Sequence, residues 1–165
     1  MLLVVLVALT LLCVDRTDTI AADIDIWVDP GHGGGDVGAP GFDQAYPEKV
    51  ATLEIATKVH NLLRTAAFMT FMTRYEDDYP TLADRVAMAN GFEANEAGEI
   101  GTCQAVVSIH MNGNKLSTPF GTEVFYGKYR REYYGFNDYR VDSTLARSVY
   151  NGLIQNTPLA FMGMQ

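Results

Sequence analysis

An α/β fold with a mixed, mostly parallel central sheet covered by helices is predicted by three observations on the sequence. Short runs rich in β-forming residues alternate along the chain with longer segments of helical periodicity, an order typical of α/β sheets. Hydrophobic residues make up 48% of the 165 residues and charged residues 19%, so one globular domain with a real core is expected. The run from Ile24 to Val28 stops abruptly at Pro30 and Gly31, as a buried strand does where it enters a loop.

The individual elements follow from local signals. Four strands are predicted where β-branched, aromatic or unbroken apolar residues dominate, at 24–28, 68–73, 104–110 and 122–126. Three helices are predicted from apolar residues that return at helical spacing, over 47–63, 82–90 and 143–154. Pro47 is expected to open the first helix, Thr81 to cap the second and Ser143 to cap the third. The acidic segment 91–101 predicts a solvated loop or a helix extension.

Charge and composition limit the partners. The net charge of −8 makes nucleic acid an improbable partner, because phosphate binding requires a basic face. The tyrosine-rich segment 129–139 suits either the wall of a sugar-binding groove or a mobile surface loop. We expect a monomer.

The N-terminal segment is an almost unbroken apolar run from Leu2 to Val14. This length suits the core of a signal peptide, so residues 1–22 are predicted to be a signal peptide that is cleaved after Ala21 or Ala22. A buried first strand or helix is the alternative. Such a signal would direct the protein to the periplasm or the extracellular cell wall, and its cleavage would leave no stable membrane anchor. Cleavage would also leave Cys103 as the only cysteine, which we expect to be a packed small residue.

Three residues at element ends are candidate metal ligands. His32 follows the first strand in a glycine-rich turn, Glu48 lies in the first turn of the first helix, and His110 ends the third strand. If those two strands are neighbours, both histidines reach one edge of the sheet. Two imidazoles and one carboxylate form a known catalytic zinc arrangement that leaves one position open for water.

Each of these residues also has a simpler interpretation. A histidine after a strand is often a hydrogen-bonded loop residue, and Glu48 alone suits a helix start because of the helix dipole. The third histidine, His60, lies in mid-helix without an evident partner, and we interpret it as a surface residue.

Several spaced motifs follow one another along the chain: Val28-Asp-Pro-Gly-His-Gly-Gly34 with Asp36 and Gly38-Ala39, Glu48-Lys49, Thr73-Arg74 with Asp77, Leu82 with Arg85 and Ala89-Asn90, Val107-Ser-Ile-His110 with Asn112, and Gly121-Thr-Glu-Val-Phe-Tyr126. In these motifs and in their order, the chain resembles the zinc-dependent N-acetylmuramoyl-L-alanine amidases, which hydrolyse peptidoglycan. The resemblance runs from about Ile24 to about Ile154.

The resemblance implies that His32, Glu48 and His110 hold Zn²⁺. It also implies hydrolysis of the amide between the lactyl group of N-acetylmuramic acid and L-alanine in peptidoglycan, with a glutamate of a late strand as general acid and base. That late segment has no counterpart before the chain ends at Gln165. We therefore interpret residues 23–165 as an amidase catalytic domain that is incomplete at its C-terminus and lacks the family's last strand and helix. Glu123 is the nearest substitute along the sequence, although its place in the Gly-Thr-Glu pattern favours a structural role.

The sequence also fits two alternatives to an active amidase. The chain could be a catalytically silent relative that binds zinc and peptidoglycan but lacks the acid/base glutamate. It could also be another zinc hydrolase, such as an exopeptidase. The single His-Glu-His set, without further carboxylates for a second metal, disfavours the exopeptidase.

Overall fold

A computed structural model describes residues 2–9, 25–41, 46–101, 103–112, 121–126, 139–156 and 161–164. These residues form six strands and three helices, in the order β1 (Leu2–Leu9), β2 (Asp25–Pro30), α1 (Glu48–Thr65), β3 (Met69–Met72), α2 (Leu82–Ala89), β4 (Ala105–Asn112), β5 (Gly121–Tyr126), α3 (Tyr139–Asn156) and β6 (Phe161–Met164). Within the described ranges, no helix combines the length and the apolar character needed to cross a membrane.

The strands form one sheet in the order β3-β2-β4-β1-β5-β6. β2 pairs in parallel with both β3 and β4, and β5 pairs in parallel with β1 and β6. The pairing of β1 with β4 is antiparallel. The mixed, mostly parallel sheet predicted from the sequence is therefore confirmed, and β2 and β4 are direct neighbours as the metal-site hypothesis requires.

Most predicted elements are found within a few residues of their expected bounds. The N-cap of α2 is a capping box in which the Thr81 side chain accepts from the Asp84 backbone N–H and the Asp84 carboxylate accepts from the Thr81 backbone N–H. The predicted cap of the third helix is wrong, because α3 begins at Tyr139 and Ser143 lies inside it. The tyrosine-rich segment falls almost entirely outside the described residues.

Residues 2–9 pair with β4 along their whole length and with β5 on the other side. A first strand was the alternative to a signal peptide, and the structure includes that strand at the centre of the sheet. Cleavage of residues 1–22 is a separate question that stays a prediction.

Helix α1 covers one face of the sheet, where Ala56 packs with Val28, Met72 and Ile109. Cys103 belongs to a second hydrophobic cluster with Trp27 and Met88, consistent with its expected role as a packed small residue.

The interpretation of His60 as a surface residue is wrong. Its side chain is 5% exposed, its Nδ1 lies 2.9 Å from Thr70 Oγ1, and its ring stands edge-on to Tyr75. His60 is one helical turn beyond the buried Ala56, so it faces the same side of α1, toward β3.

Candidate metal centre

The loop after β2 presents His32 at the carboxyl edge of the sheet. The Gly31 N–H donates to the Ile109 carbonyl of β4 (2.9 Å), which ties the loop to the strand that carries His110. A Cβ on Gly31 would lie 2.3 Å from His110 Cε1, so only glycine leaves room for that ring. His32 itself has a φ of 61°, a left-handed conformation that is uncommon outside glycine.

The carboxylate of Glu48 is fixed by backbone donors on both sides. Its Oε2 accepts from the Ala39 N–H (2.9 Å) and its Oε1 accepts from the Met111 N–H (2.6 Å). Burial opposes ionisation of this side chain, but hydrogen bonds from His110, Ala39 and Met111 and the nearby His32 outweigh it and lower the pKa of Glu48. The first turn of α1 therefore holds an ionised carboxylate in one orientation.

The three predicted ligands converge. His32 Nε2 lies 3.1 Å from Glu48 Oε1, and His110 Nδ1 lies 3.2 Å from both Glu48 Oε1 and His32 Nε2. A tetrahedral zinc ion with bonds of about 2.0–2.2 Å spaces its ligand atoms by about 3.3–3.6 Å, close to these separations. The donor types and their spacing therefore fit one zinc ion.

Asp36 orients His32. Its Oδ2 lies 2.9 Å from His32 Nδ1, and this hydrogen bond is the main reason why the pKa of Asp36 is lowered. With Nδ1 directed at Asp36, Nε2 is directed at Glu48 and His110. A carboxylate on the far nitrogen of a ligating histidine is a recurrent feature of zinc sites.

A cavity of about 420 Å³ opens beside the two histidines. Tyr79, Leu82 and Val86 from α2 and the segment before it form much of its apolar wall. The His32 and His110 side chains are 22% and 36% exposed, whereas that of Glu48 is 4% exposed. The cluster is thus reachable from the cavity on its histidine side.

Glu123 is not part of this cluster. It lies on β5, with Val4 of β1 as its register partner, so β1 separates its strand from β4. Among the described residues, the group able to hold a metal consists of His32, Glu48 and His110.

Sequence reasoning gave no role to a second layer of polar residues behind the cluster. The Asp29 carboxylate accepts from Thr73 Oγ1 (2.6 Å) and Ser108 Oγ (2.7 Å) and forms an ion pair with Arg85. Burial opposes ionisation of Asp29, but the Arg85 charge and these hydroxyl donors lower its pKa. All four residues (Asp29, Thr73, Arg85 and Ser108) stand in the matched motifs, which was the available signal, but their contacts depend on the tertiary fold.

The fold and the cluster together define an α/β domain with a His-Glu-His site at the carboxyl edge of its sheet. The chain belongs to the N-acetylmuramoyl-L-alanine amidase family Amidase_3, whose model matches residues 26–164.

Individual relatives agree with this family. The N-acetylmuramoyl-L-alanine amidase LytC of Bacillus subtilis is 34% identical over 101 residues, which are 61% of this chain and 18% of LytC. The solved structure of the amidase AmiC2 of Nostoc punctiforme is 28% identical with a TM-score of 0.68, covering 87% of this chain and 69% of AmiC2. The catalytic domain of CwlV from Bacillus (Paenibacillus) polymyxa is 27% identical with a TM-score of 0.65, covering 86% and 68%. The chain spans 18–32% of the length of LytC and two further curated amidases.

Proposed function

We propose that the protein hydrolyses the amide bond between the lactyl group of N-acetylmuramic acid and L-alanine in peptidoglycan, with zinc as its cofactor. The observation that carries this proposal is the set of three ligand atoms 3.1–3.2 Å apart beside an open cavity, in a chain of the amidase family.

His32, Glu48 and His110 would hold the metal. Zinc at such a site supplies a Lewis acid that activates water and polarises an amide carbonyl. The chain's own residues prepare the site. Glu48 is kept ionised by the Ala39 and Met111 N–H groups, and Asp36 keeps the ligating nitrogen of His32 directed at the cluster.

The substrate implies export, since peptidoglycan lies outside the cytoplasm. We propose that the apolar N-terminal run in residues 1–22 is the export signal. The same segment forms strand β1 (Leu2–Leu9), so cleavage would remove a strand that lies between β4 and β5 in the sheet.

The test is digestion of purified cell walls by the full chain with and without stoichiometric zinc. We expect zinc-dependent release of peptides with new N-terminal L-alanine, detected by end-group labelling and mass spectrometry. The variants His32→Ala, Glu48→Gln and His110→Ala should lose zinc and products, while His60→Gln, the matched removal of the third histidine, should keep both. Release of reducing sugar ends alone would contradict the amidase proposal.

The second candidate is a catalytically silent protein that binds zinc and peptidoglycan. The observation that favours it is the place of Glu123, the substitute acid/base residue, on a strand that β1 separates from β4. Among the described residues, Glu48 is the one glutamate in the cluster, and it is a candidate metal ligand. General acid–base catalysis is worth about 10²–10⁴-fold, so its loss would leave binding with turnover lowered by that factor. Zinc-dependent cosedimentation with cell walls without any product would favour this candidate.

A further inference from the structure

Two arginine side chains hold three consecutive carbonyl groups of the loop that carries His32. Arg85 of α2 donates from Nη1 to the Pro30 carbonyl (2.8 Å) and from Nη2 to the His32 carbonyl (2.9 Å). Arg74, which follows β3, donates from Nε to the Pro30 carbonyl (3.2 Å) and from Nη2 to the Gly31 carbonyl (3.0 Å). Two planar guanidinium groups from different parts of the chain therefore donate hydrogen bonds to the backbone carbonyls from Pro30 to His32.

Arg74 also joins this loop to the helix that carries Glu48. Its Nη2 donates to the Lys49 carbonyl in the first turn of α1 (2.9 Å), and its side chain is 1% exposed. Thr52 of α1 donates to the same Gly31 carbonyl (2.7 Å). One buried guanidinium thus hydrogen-bonds both the loop that carries His32 and the helix that carries Glu48.

Arg85 is itself held in place. Asp29 accepts from Arg85 and is fixed by the hydroxyls of Thr73 and Ser108, and the Arg85 Nε donates to the Pro80 carbonyl (3.0 Å). Lysine has no fork of fixed donors, so it could not bond the Pro30 and His32 carbonyls together in this geometry.

The conformation of the loop around His32 is not fixed by its own sequence. His32 has a φ of 61°, and glycines follow it at positions 33 to 35, so the free backbone has many alternatives to the ligating conformation. If the metal-binding histidine is in its ligating conformation only part of the time, the apparent affinity of the site for the metal falls by that fraction.

We propose that Arg74 and Arg85 are positioning residues that hold His32 in its ligating conformation, so that zinc affinity depends on both guanidinium groups. This inference rests on the proposed function insofar as the His32-Glu48-His110 cluster binds zinc.

The test compares zinc affinities of the full chain and of Arg74→Lys and Arg85→Lys, measured by competition with a chromophoric chelator. We expect each variant to bind zinc about 10- to 100-fold more weakly. Cobalt(II) in place of zinc should give an altered visible spectrum, since the ligand geometry changes. Arg64→Lys, an exposed arginine near the end of α1, is the matched control and should leave affinity and spectrum unchanged.

A substitution could weaken zinc binding by unfolding the protein instead of by displacing His32. The fluorescence of Trp27, the only tryptophan, shows whether each metal-free variant is folded at the assay temperature.

If Arg85→Lys does not fold, Thr73→Val replaces it, because the Thr73 hydroxyl donates to Asp29 and accepts from Arg85 Nη1 (3.5 Å), and its loss should still weaken zinc binding. If Arg74→Lys does not fold, Thr52→Val replaces it, because the Thr52 hydroxyl accepts from Arg74 Nη2 (3.3 Å) and donates to the Gly31 carbonyl (2.7 Å). Folded variants with unchanged affinity and spectrum would overturn the inference alone. A wild-type chain that binds neither zinc nor cobalt would overturn the zinc site and the inference together.

Discussion

The sheet divides at the β4–β1 pairing into two regions whose interiors differ. The metal-side region comprises β2, β3, β4, α1 and α2, and the β5 region comprises β1, β5, β6 and α3. Every polar side chain found buried in the described part of the chain belongs to the metal-side region or the loops within it: Asp29, Glu48, Thr52, His60, Thr70, Thr73, Arg74, Asn95 and Ser108. The described buried side chains of the β5 region are the apolar Val124 and Ala146.

This difference indicates how each region carries function. Buried polar groups must find partners with correct geometry, so the metal-side interior specifies the positions of its side chains, including the candidate ligands. Apolar packing is non-directional and tolerates exchange of one hydrophobic residue for another. We therefore expect changes beside the His32-Glu48-His110 cluster in the metal-side region to alter zinc binding and changes in the β5 region to alter stability alone.

The sharpest test of the boundary is a proline in β1. Val5 is paired with Ile109 of β4 and Val124 of β5, and a proline in a central strand removes a donor and disrupts the pairing. Val5→Pro should speed hydrogen exchange in β5 far more than in β2, as measured by mass spectrometry of the full chain. Val5→Thr is the control, because it keeps both the N–H and the β-branched shape.

An unchanged exchange pattern in Val5→Pro would mean that the sheet does not need residues 2–9. That result would favour the prediction that residues 1–22 are a cleaved signal peptide.

A matched pair of valines tests the two interiors directly. Val28 on β2 and Val124 on β5 are both fully buried, so Val→Ala at either position should cost about 2 kcal/mol of unfolding free energy in urea titrations. Only Val28→Ala should also weaken zinc binding in a chelator competition, since Val28 precedes the loop of His32 by few residues. Equal effects on zinc from both variants would refute the division into two regions.

The sequence predicts the metal-side region well because its signals are local. The Pro-Gly stop, the glycine turn around His32, Pro47 before α1 and the cap at Thr81 each act within a few residues of the feature they predict. The convergence of His32 with His110 needed only one further assumption, that β2 and β4 are neighbours.

The remaining features depend on contacts far apart in sequence. The placement of Leu2–Leu9 between β4 and β5 requires pairing across about a hundred residues, and no local pattern distinguishes such a strand from a signal peptide core. Likewise, Arg74 and Arg85 matched motifs, yet their bonds to the carbonyls of the His32 loop follow only from the packed structure.

The smallest expected effect is a pH dependence that belongs to the metal-side region. Burial, with the nearby Arg64 adding to it and Glu99 opposing it, lowers the pKa of His60. The unfolded chain, with an ordinary histidine pKa near 6.5, then binds a proton that the folded chain resists, so stability is complete above that pH and is lost as the pH falls toward the folded pKa. One proton limits this slope to about 1.4 kcal/mol per pH unit.

His60→Gln should flatten the dependence of unfolding free energy on pH below about 6.5, measured by urea titration in the presence of EDTA so that metal loss does not contribute. Arg64→Met should flatten it partly, because removing this cation raises the pKa of His60 toward its ordinary value. Both variants leave Val124 and Ala146 untouched, so a slope that survives in both would place the acid sensitivity outside the α1–β3 contact. In that case the polar interior would set ligand geometry without setting the response to pH.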